Sequence, residues 1–301
     1  MLRWPGSQKT AAELQYVANQ ASSLYRVAGV KRKPDGSVRY LFDAKFPLKT
    51  IQGRIQCMIL RTVSFPEYLQ GSLKNRGQAS NARRHTGRRL VITEDVQNFF
   101  PATSAKIVFD IWHHFFRFPP EVAECLTKLT TKDGSLPQGA KTSPLLANIV
   151  FWQRERDLVL EFQQRGIEYT RLVDDITCSA VRNLSRGEIS WVIRKLRHMT
   201  ESFGFRLRRK KETIAHASAR MVATKLVVNV KLSLPSERRS QIRAAVNSCV
   251  ASKAKIDRPS DKAFNRVSGQ LAYLTQYHSA EGKSLREVLR NAQRRRLQDR
   301  G

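Results

Sequence analysis

The sequence predicts an α+β fold on three observations. Short β-prone runs alternate with amphipathic helical stretches through most of the chain, two pairs of those runs face each other across turn signals as hairpins, and the last part is wholly helical and basic. At 301 residues the chain can bury a substantial core and form more than one domain.

The elements follow in order. Ala11, Leu14, Val17, Ala18 and Ala21 recur at helical spacing. Tyr25 to Val30 and Val38 to Phe42 flank Lys33-Pro34-Asp35-Gly36, which predicts a hairpin with a basic tip. A helix is predicted from Leu48 to Thr62, a glycine-containing basic loop from Gly71 to His85, and a strand from Leu90 to Glu94 that leads into Asp95. Ala105 to Phe116 and Glu121 to Leu129 read as helices separated by Pro119-Pro120. Leu136-Pro137-Gln138-Gly139 is a turn, and Ser143-Pro144 opens one long helix reaching Gln164. Tyr169 to Val173 and Ile176 to Ala180 are β-prone on either side of Asp174-Asp175, so a hairpin is expected to carry both acids at its tip. Glu188 to Phe203 is an amphipathic helix stopped by Gly204, Gly204 to Leu207 begins a return to the sheet, and Met221 to Val230 adds more strand. Beyond Pro235 the pattern is helical, with Ile242, Ala245, Val246 and Cys249 on one face. The shift near residue 230 divides the chain into 1–90, 91–230 and 231–301.

Composition narrows the function. Lysine and arginine number 54 against 25 acids, a formal charge of +29, and so large an excess calls for a polyanionic partner such as nucleic acid. A hydrophobic content of 41% excludes a disordered basic tail. Cys57, Cys125, Cys178 and Cys249 are too widely spaced for zinc ligands and read as reduced thiols. The N-terminus carries no apolar stretch long enough for a signal peptide or a membrane span, so a cytoplasmic protein with no membrane partner is expected.

The chemistry is carried by acids set in apolar runs. Asp95 opens Asp95-Val96-Gln97-Asn98-Phe99-Phe100, and Asp174-Asp175 interrupt Leu172-Val173 and Ile176. Brought together, these three carboxylates can hold two Mg²⁺ ions, with Mn²⁺ as a substitute, against a nucleoside triphosphate, and the Val96 carbonyl can add an oxygen. Asp175 is expected in a supporting role and Glu94 to be structural or solvated, because successive strand residues point to opposite faces. Alone, an Asp-Asp pair is as readily a turn.

Seven ordered blocks give the arrangement a family likeness. Leu48-Lys49-Thr50-Ile51-Gln52 follows the basic hairpin, Gly71 to Gly77 is similar to a "GFxxxRS" loop, and Asn81-Ala82-Arg83-Arg84-His85 matches "NAxxH". Asp95 to Phe100 then matches "DxxxFF", and Leu136 to Gly139 with Thr142-Ser143-Pro144 and Ala147-Asn148 matches "LPQGxxTSPxLAN". Leu172 to Asp175 stands at "YxDD", and Gly204 to Lys211 is similar to "GFxLxxxK". The chain resembles the bacterial reverse transcriptases, and most closely those of the retron type. It departs from them at Leu172 (Tyr in the family), at Lys225 (the Gly of "VTG") and at Glu212 (often Thr).

The resemblance implies a right-hand polymerase fold: fingers over 1–90, a palm of antiparallel sheet and helices over 91–230 with a fingers segment interleaved, and a helical thumb over 231–301. Phe100 would be a steric gate against the ribose 2′-hydroxyl, with core packing as the alternative. Gln138 would touch the incoming nucleotide or the template, Arg76 and Lys211 the triphosphate. Asn81, Arg83, Arg84, His85, Arg208 and Arg209 would bind nucleic acid, and Arg238, Arg239 and Arg243 the stem of an RNA. His113-His114 diverge on a helix and are not expected to bind metal.

Retron enzymes copy a structured noncoding RNA encoded beside them, start from a guanosine 2′-hydroxyl, use dNTPs to make branched RNA-linked single-stranded DNA (msDNA), and commonly serve phage defence with a separate effector protein. No RNase H domain is expected, so the copied RNA would be left intact. A group II intron or abortive-infection type reverse transcriptase shares the acids, and a noncatalytic RNA-binding scaffold is a different class of alternative. A DNA-templated polymerase or primase fits the block order least well.

Overall fold

The computed structural model describes residues 10–32, 36, 38–251 and 262–298, with backbone alone at 262 and 295–298. Helix α1 (Ala11–Asn19) opens on a capping box in which Thr10 and Glu13 satisfy each other's backbone amides. Strands β1 (Tyr25–Arg32) and β2 (Val38–Ala44) pair antiparallel, with a register shift between Val27 and Gly29. The expected basic tip, residues 33–35, lies outside the described residues.

Helix α2 (Leu48–Met58) buries Leu48, Ile51, Gln52 and Ile55, and Leu60–Thr62 adds a 3-10 turn. The stretch expected as a basic loop contains helix α3 (Gln78–Arg84). Its buried side is only Asn81 and Ala82, one polar and one small apolar residue, which leaves no helical periodicity to read. Strand β3 (Leu90–Asp95) is followed by α4 (Phe99–Ala102), and α5 (Ala105–Asp110) runs on through a π-helical turn over Ile111–Phe115. Helix α6 (Pro120–Thr130) begins on its proline as predicted.

The single helix expected over 143–164 is two, α7 (Ser143–Ile149) and α8 (Glu155–Gln164). The chain turns between them because Phe151 inserts into the aromatic cluster of Phe99, Phe203 and Phe205. Strands β4 (Ile167–Leu172) and β5 (Asp175–Ala180) form the predicted hairpin, and α9 (Arg186–Glu201) starts on a Ser185–Glu188 capping box.

The central sheet has four strands, all antiparallel, in the order β4-β5-β3-β6. Its outer strand β6 (Thr213–His216) was not legible in sequence, and Gly204 to Leu207 contributes only a bridge from Leu207 to Val96. The strand expected over Met221 to Val230 reduces to a small hairpin, β7 (Val222–Ala223) and β8 (Leu226–Val227). Helices α10 (Ser236–Ala251), α11 (Lys262–Tyr277) and α12 (Ser279–Gln298) follow.

Two apolar cores result. One lies between the central sheet and α1 to α9; the other gathers Met221, Ala223, Leu226 and Val228 with Ile242, Val246, Leu271, Leu274 and Leu289 of α10 to α12. The second core starts before residue 231, so the β7–β8 hairpin packs with the last helices.

Candidate active site

The site sits where three strand ends meet. Register places Asp95, the last residue of β3, opposite Asp175, the first of β5, and cross-strand partners share a face. Asp175 therefore stands beside Asp95, where sequence periodicity had given it a lesser place. Asp174 occupies the two-residue connection between Leu172 and Asp175, with Val173 before it at φ +62°. The Asp174 carbonyl accepts from the Val96 N–H at 2.9 Å, which ties the turn to the segment after β3.

The electrostatics of this cluster call for a cation. Burial raises the carboxyl pKa of Asp174, and the charge of Asp95 raises it further, against the pull of Arg39 and Lys211. Burial pushes Asp175 up to about 6, with Asp174 and Asp95 adding to it and Lys211 and Lys225 opposing. Asp95 is turned onto Lys211, whose Nζ lies 2.7 Å from Oδ2, and onto Arg208, whose Nε lies 3.4 Å from Oδ1. Among the described residues no three acidic, histidine or cysteine side chains converge on one metal-sized point. The donor set still fits a divalent ion: three mutually repelling carboxylates on adjacent chain ends, one of them already neutralised by two side-chain cations.

A cleft of about 700 Å³ opens beside the acids, lined by Arg39, Tyr40 and Phe42 of β2, by Gln97 and Asn98, by Lys132, Pro137 and Gln138, and by Arg208 and Lys210. The Phe42 N–H donates to the Gln138 carbonyl at 2.7 Å, so the β1–β2 hairpin is hung from the turn that carries Gln138. Gly139 sits at φ +107° against this junction, where a Cβ would collide with the Phe42 carbonyl oxygen. Phe100 is half-buried, packs against the main core and lies edge-on to the buried Phe99 at 6.1 Å. Arg39 lines the cleft without having been singled out in sequence, since among 54 basic residues only the fold distinguishes it.

Several expected nucleic-acid contacts are spent inside the protein. His85 is fully buried between Ser179 of β5 and Thr170 of β4, each hydroxyl 2.7 Å from a ring nitrogen, and burial lowers its pKa to about 3. Asn81 is also fully buried, its amide without a hydrogen-bond partner among the described residues. His85 thus fastens α3 to β4 and β5 on the sheet face that also carries Asp175, and neither it nor Asn81 is exposed to RNA.

Arg76 donates to the carbonyls of Phe65, Pro66 and Leu69 and clamps that loop, which corrects the triphosphate assignment. Arg84 pairs with Glu168 and Glu67. Arg239 and Arg243 both pair with Glu281 and join α10 to α12, and Arg238 reaches Gln241. Arg83 and Arg209 are exposed and open to a polyanion.

Glu94, expected to be structural or solvated, is buried on the opposite face of β3. No donor reaches its oxygens among the described residues, and burial followed by the neighbouring Glu212 drives its pKa far above the carboxylate range. The two acids can hydrogen-bond only by sharing a proton.

This fold and this acid cluster define a polymerase palm, and comparison with known proteins says which. Residues 31–253 match the model of the reverse transcriptase (RNA-dependent DNA polymerase) family. The chain belongs to that family, as an RNA-directed DNA polymerase of the bacterial retron type. It is 33% identical over 282 residues to the retron Se72 reverse transcriptase of Salmonella heidelberg, covering 92% of this chain and 74% of that one. It is 28% identical to the retron Ec48 reverse transcriptase of Escherichia coli, covering 85% and 67%, and 27% identical to the retron Ec86 reverse transcriptase of the same species, covering 92% and 82%. Among solved structures, apo telomerase from Candida tropicalis superposes with a TM-score of 0.50 at 10% identity, over 96% of this chain and 62% of that one, a likeness of fold alone.

Proposed function

We propose that this reverse transcriptase copies a structured noncoding RNA into RNA-linked single-stranded DNA of the msDNA type, starting from a 2′-hydroxyl of that RNA, and that it works in phage defence with a separate effector protein. The observation that supports the reading best is the register match of Asp95 with Asp175, with Asp174 in the adjoining turn and the Asp95 partner Arg208 lining the cleft. The relatives named as retron enzymes support the choice of template.

In this reading Asp95, Asp174, Asp175 and the Val96 carbonyl hold two Mg²⁺ ions, which when bound supply charge for the attacking hydroxyl and for the departing pyrophosphate. The chain's own residues do the rest. Arg39, Lys210 and Lys211 set positive charge against the phosphates, with Arg208 released from Asp95 as the site fills. Gln138 bounds the cleft beside the nucleotide, and the Phe100 ring fills the space a 2′-hydroxyl would need. In this reading the fingers take 1–90 and a segment interleaved in the palm, the palm takes the rest up to about 220, the thumb takes 231–301 together with the β7–β8 hairpin that shares its core, and exposed arginines such as Arg83 and Arg209 track the nucleic-acid backbone. Among the described residues no helix is long and apolar enough to cross a membrane, in keeping with a cytoplasmic enzyme.

The test is expression of the gene with its flanking DNA, followed by extraction of small DNA. A discrete branched species that disappears in Asp174→Asn/Asp175→Asn is expected. Extension of ordinary primers without any such species would instead favour a group II intron or abortive-infection type of enzyme.

A further inference from the structure

Behind the catalytic turn lies a charged group that the chemistry above does not use. Arg171 of β4 and Glu155 at the start of α8 are both buried, at 0% and 1% exposure. Arg171 Nε donates to Glu155 Oε1 at 2.5 Å and Nη2 to Oε2 at 2.8 Å, while the Tyr169 hydroxyl donates to the same Oε1 at 2.7 Å. The remaining guanidinium hydrogens go to backbone: Nη1 to the carbonyls of Ala147 at 3.2 Å and Val173 at 3.0 Å, and Nη2 to that of Asn148 at 2.9 Å. All five donors of the fork are thereby used.

Stability is a poor reason for such a pair, because well-packed apolar residues of similar volume usually serve as well or better. Its acceptors point to another. Val173 is the residue joined to Asp174, and it is held at φ +62°, a strained conformation for a β-branched side chain. The opposite side of this turn is closed by Gly71, where a Cβ would lie 2.5 Å from Val173 Cγ2 and 2.7 Å from Val173 N. Asn148 Nδ2 fixes Gly71 through its carbonyl at 2.7 Å, and the Gln70 N–H reaches the Arg171 carbonyl at 2.8 Å. The strained residue is thus clamped between a buried guanidinium and a glycine.

We propose that Arg171, anchored by Glu155, is a positioning residue for catalysis. Its hold on the Val173 carbonyl keeps that residue left-handed and so aims the Asp174 carboxylate at Asp95 and Asp175. The inference rests on the reading of those three acids as catalytic. Lysine cannot replace the fork, since its three donors radiate from one atom and cannot reach carboxylate and carbonyls together.

Three variants of the full chain test it: Arg171→Lys, Glu155→Gln and Gly71→Ala. Each is assayed for single-nucleotide extension on an RNA template at a temperature below all their melting points, with Tm and calorimetric Mg²⁺ affinity measured alongside. Arg171→Lys retains the buried charge pair but releases Val173, and kcat should fall on the order of 10²-fold with dNTP KM unchanged and Mg²⁺ affinity weakened. Gly71→Ala pushes the same turn without altering any charge and should show the same pattern.

Glu155→Gln leaves the carbonyl contacts in place, so it should lose the most Tm and the least kcat. Losses of kcat that simply follow Tm across the three overturn the proposal, as does wild-type kcat and Mg²⁺ affinity in Gly71→Ala, even if Arg171→Lys does not fold. An Asp174→Asn enzyme that still polymerises would instead overturn the reading of the acids. Inactivity of Asp174→Asn with unaffected Arg171→Lys and Gly71→Ala removes the clamp alone.

Discussion

Replacing His85 by Gln should flatten the acid side of the stability profile. The imidazole is fully buried between two hydroxyls, and its pKa falls from 6.5 to about 3 in the folded chain. The unfolded chain therefore takes up a proton near pH 6.5 that the folded chain refuses. Its contribution is whole above pH 6.5 and is lost steadily as the pH falls toward 3. At about 1.4 kcal/mol per pH unit, the loss between pH 6.5 and pH 5 is about 2 kcal/mol.

Glu94 works in the opposite direction. Its folded pKa is raised, so its contribution is whole below the ordinary glutamate pKa and is lost as the pH rises through the folded value. The two trends overlap, so the wild type alone shows only their sum. The informative quantity is the difference between wild type and His85→Gln in urea unfolding at pH 7 and pH 5. The variant starts less stable at pH 7 but should lose about 2 kcal/mol less than wild type on acidification. Equal losses in both proteins would mean that His85 is solvated and would reopen a role for it on the RNA.

Two further outcomes separate structure from catalysis. Arg76→Ala strands three loop carbonyls and should cost about 1–3 kcal/mol of stability while leaving the dNTP KM unchanged, as read by thermal melting and steady-state kinetics. Phe100→Ala should raise ribonucleotide incorporation relative to deoxyribonucleotide by about 10-fold or more, measured as a ratio of kcat/KM on one template.

Much of this molecule was legible in its sequence because the signals are local. Short β-prone runs gave β3, β4 and β5, the acids interrupting the β4–β5 run gave its turn, and Pro119-Pro120 gave the start of α6. What stayed hidden depends on distant partners. Strand β6 has the burial pattern of an exposed edge and pairs only because β3 is beside it. The break between α7 and α8 comes from the aromatic cluster around Phe151.

At the site, residue type was a good guide and charge was not. Asp95 and Asp175 stand opposite each other with Asp174 in the adjoining turn, whereas Arg76, Arg84, Arg239 and Arg243 find carbonyls or acids within the chain that no spacing rule announces. His85 matched a motif, and its neighbours Thr170 and Ser179 made it a core residue. Arg171 carried a faint signal, a lone charge in the run from Tyr169 to Val173, that acquires meaning only once Glu155 is seen beneath it.

The central claim is that Asp95, Asp174 and Asp175 jointly carry nucleotidyl transfer. Single-turnover addition of one dNTP to a primer on an RNA template, in wild type and in the Asp95→Asn, Asp174→Asn and Asp175→Asn enzymes, tests it most directly. Each substitution should reduce the rate by about 10³-fold or more, with template–primer binding retained. A variant that adds the nucleotide at the wild-type rate would contradict the claim.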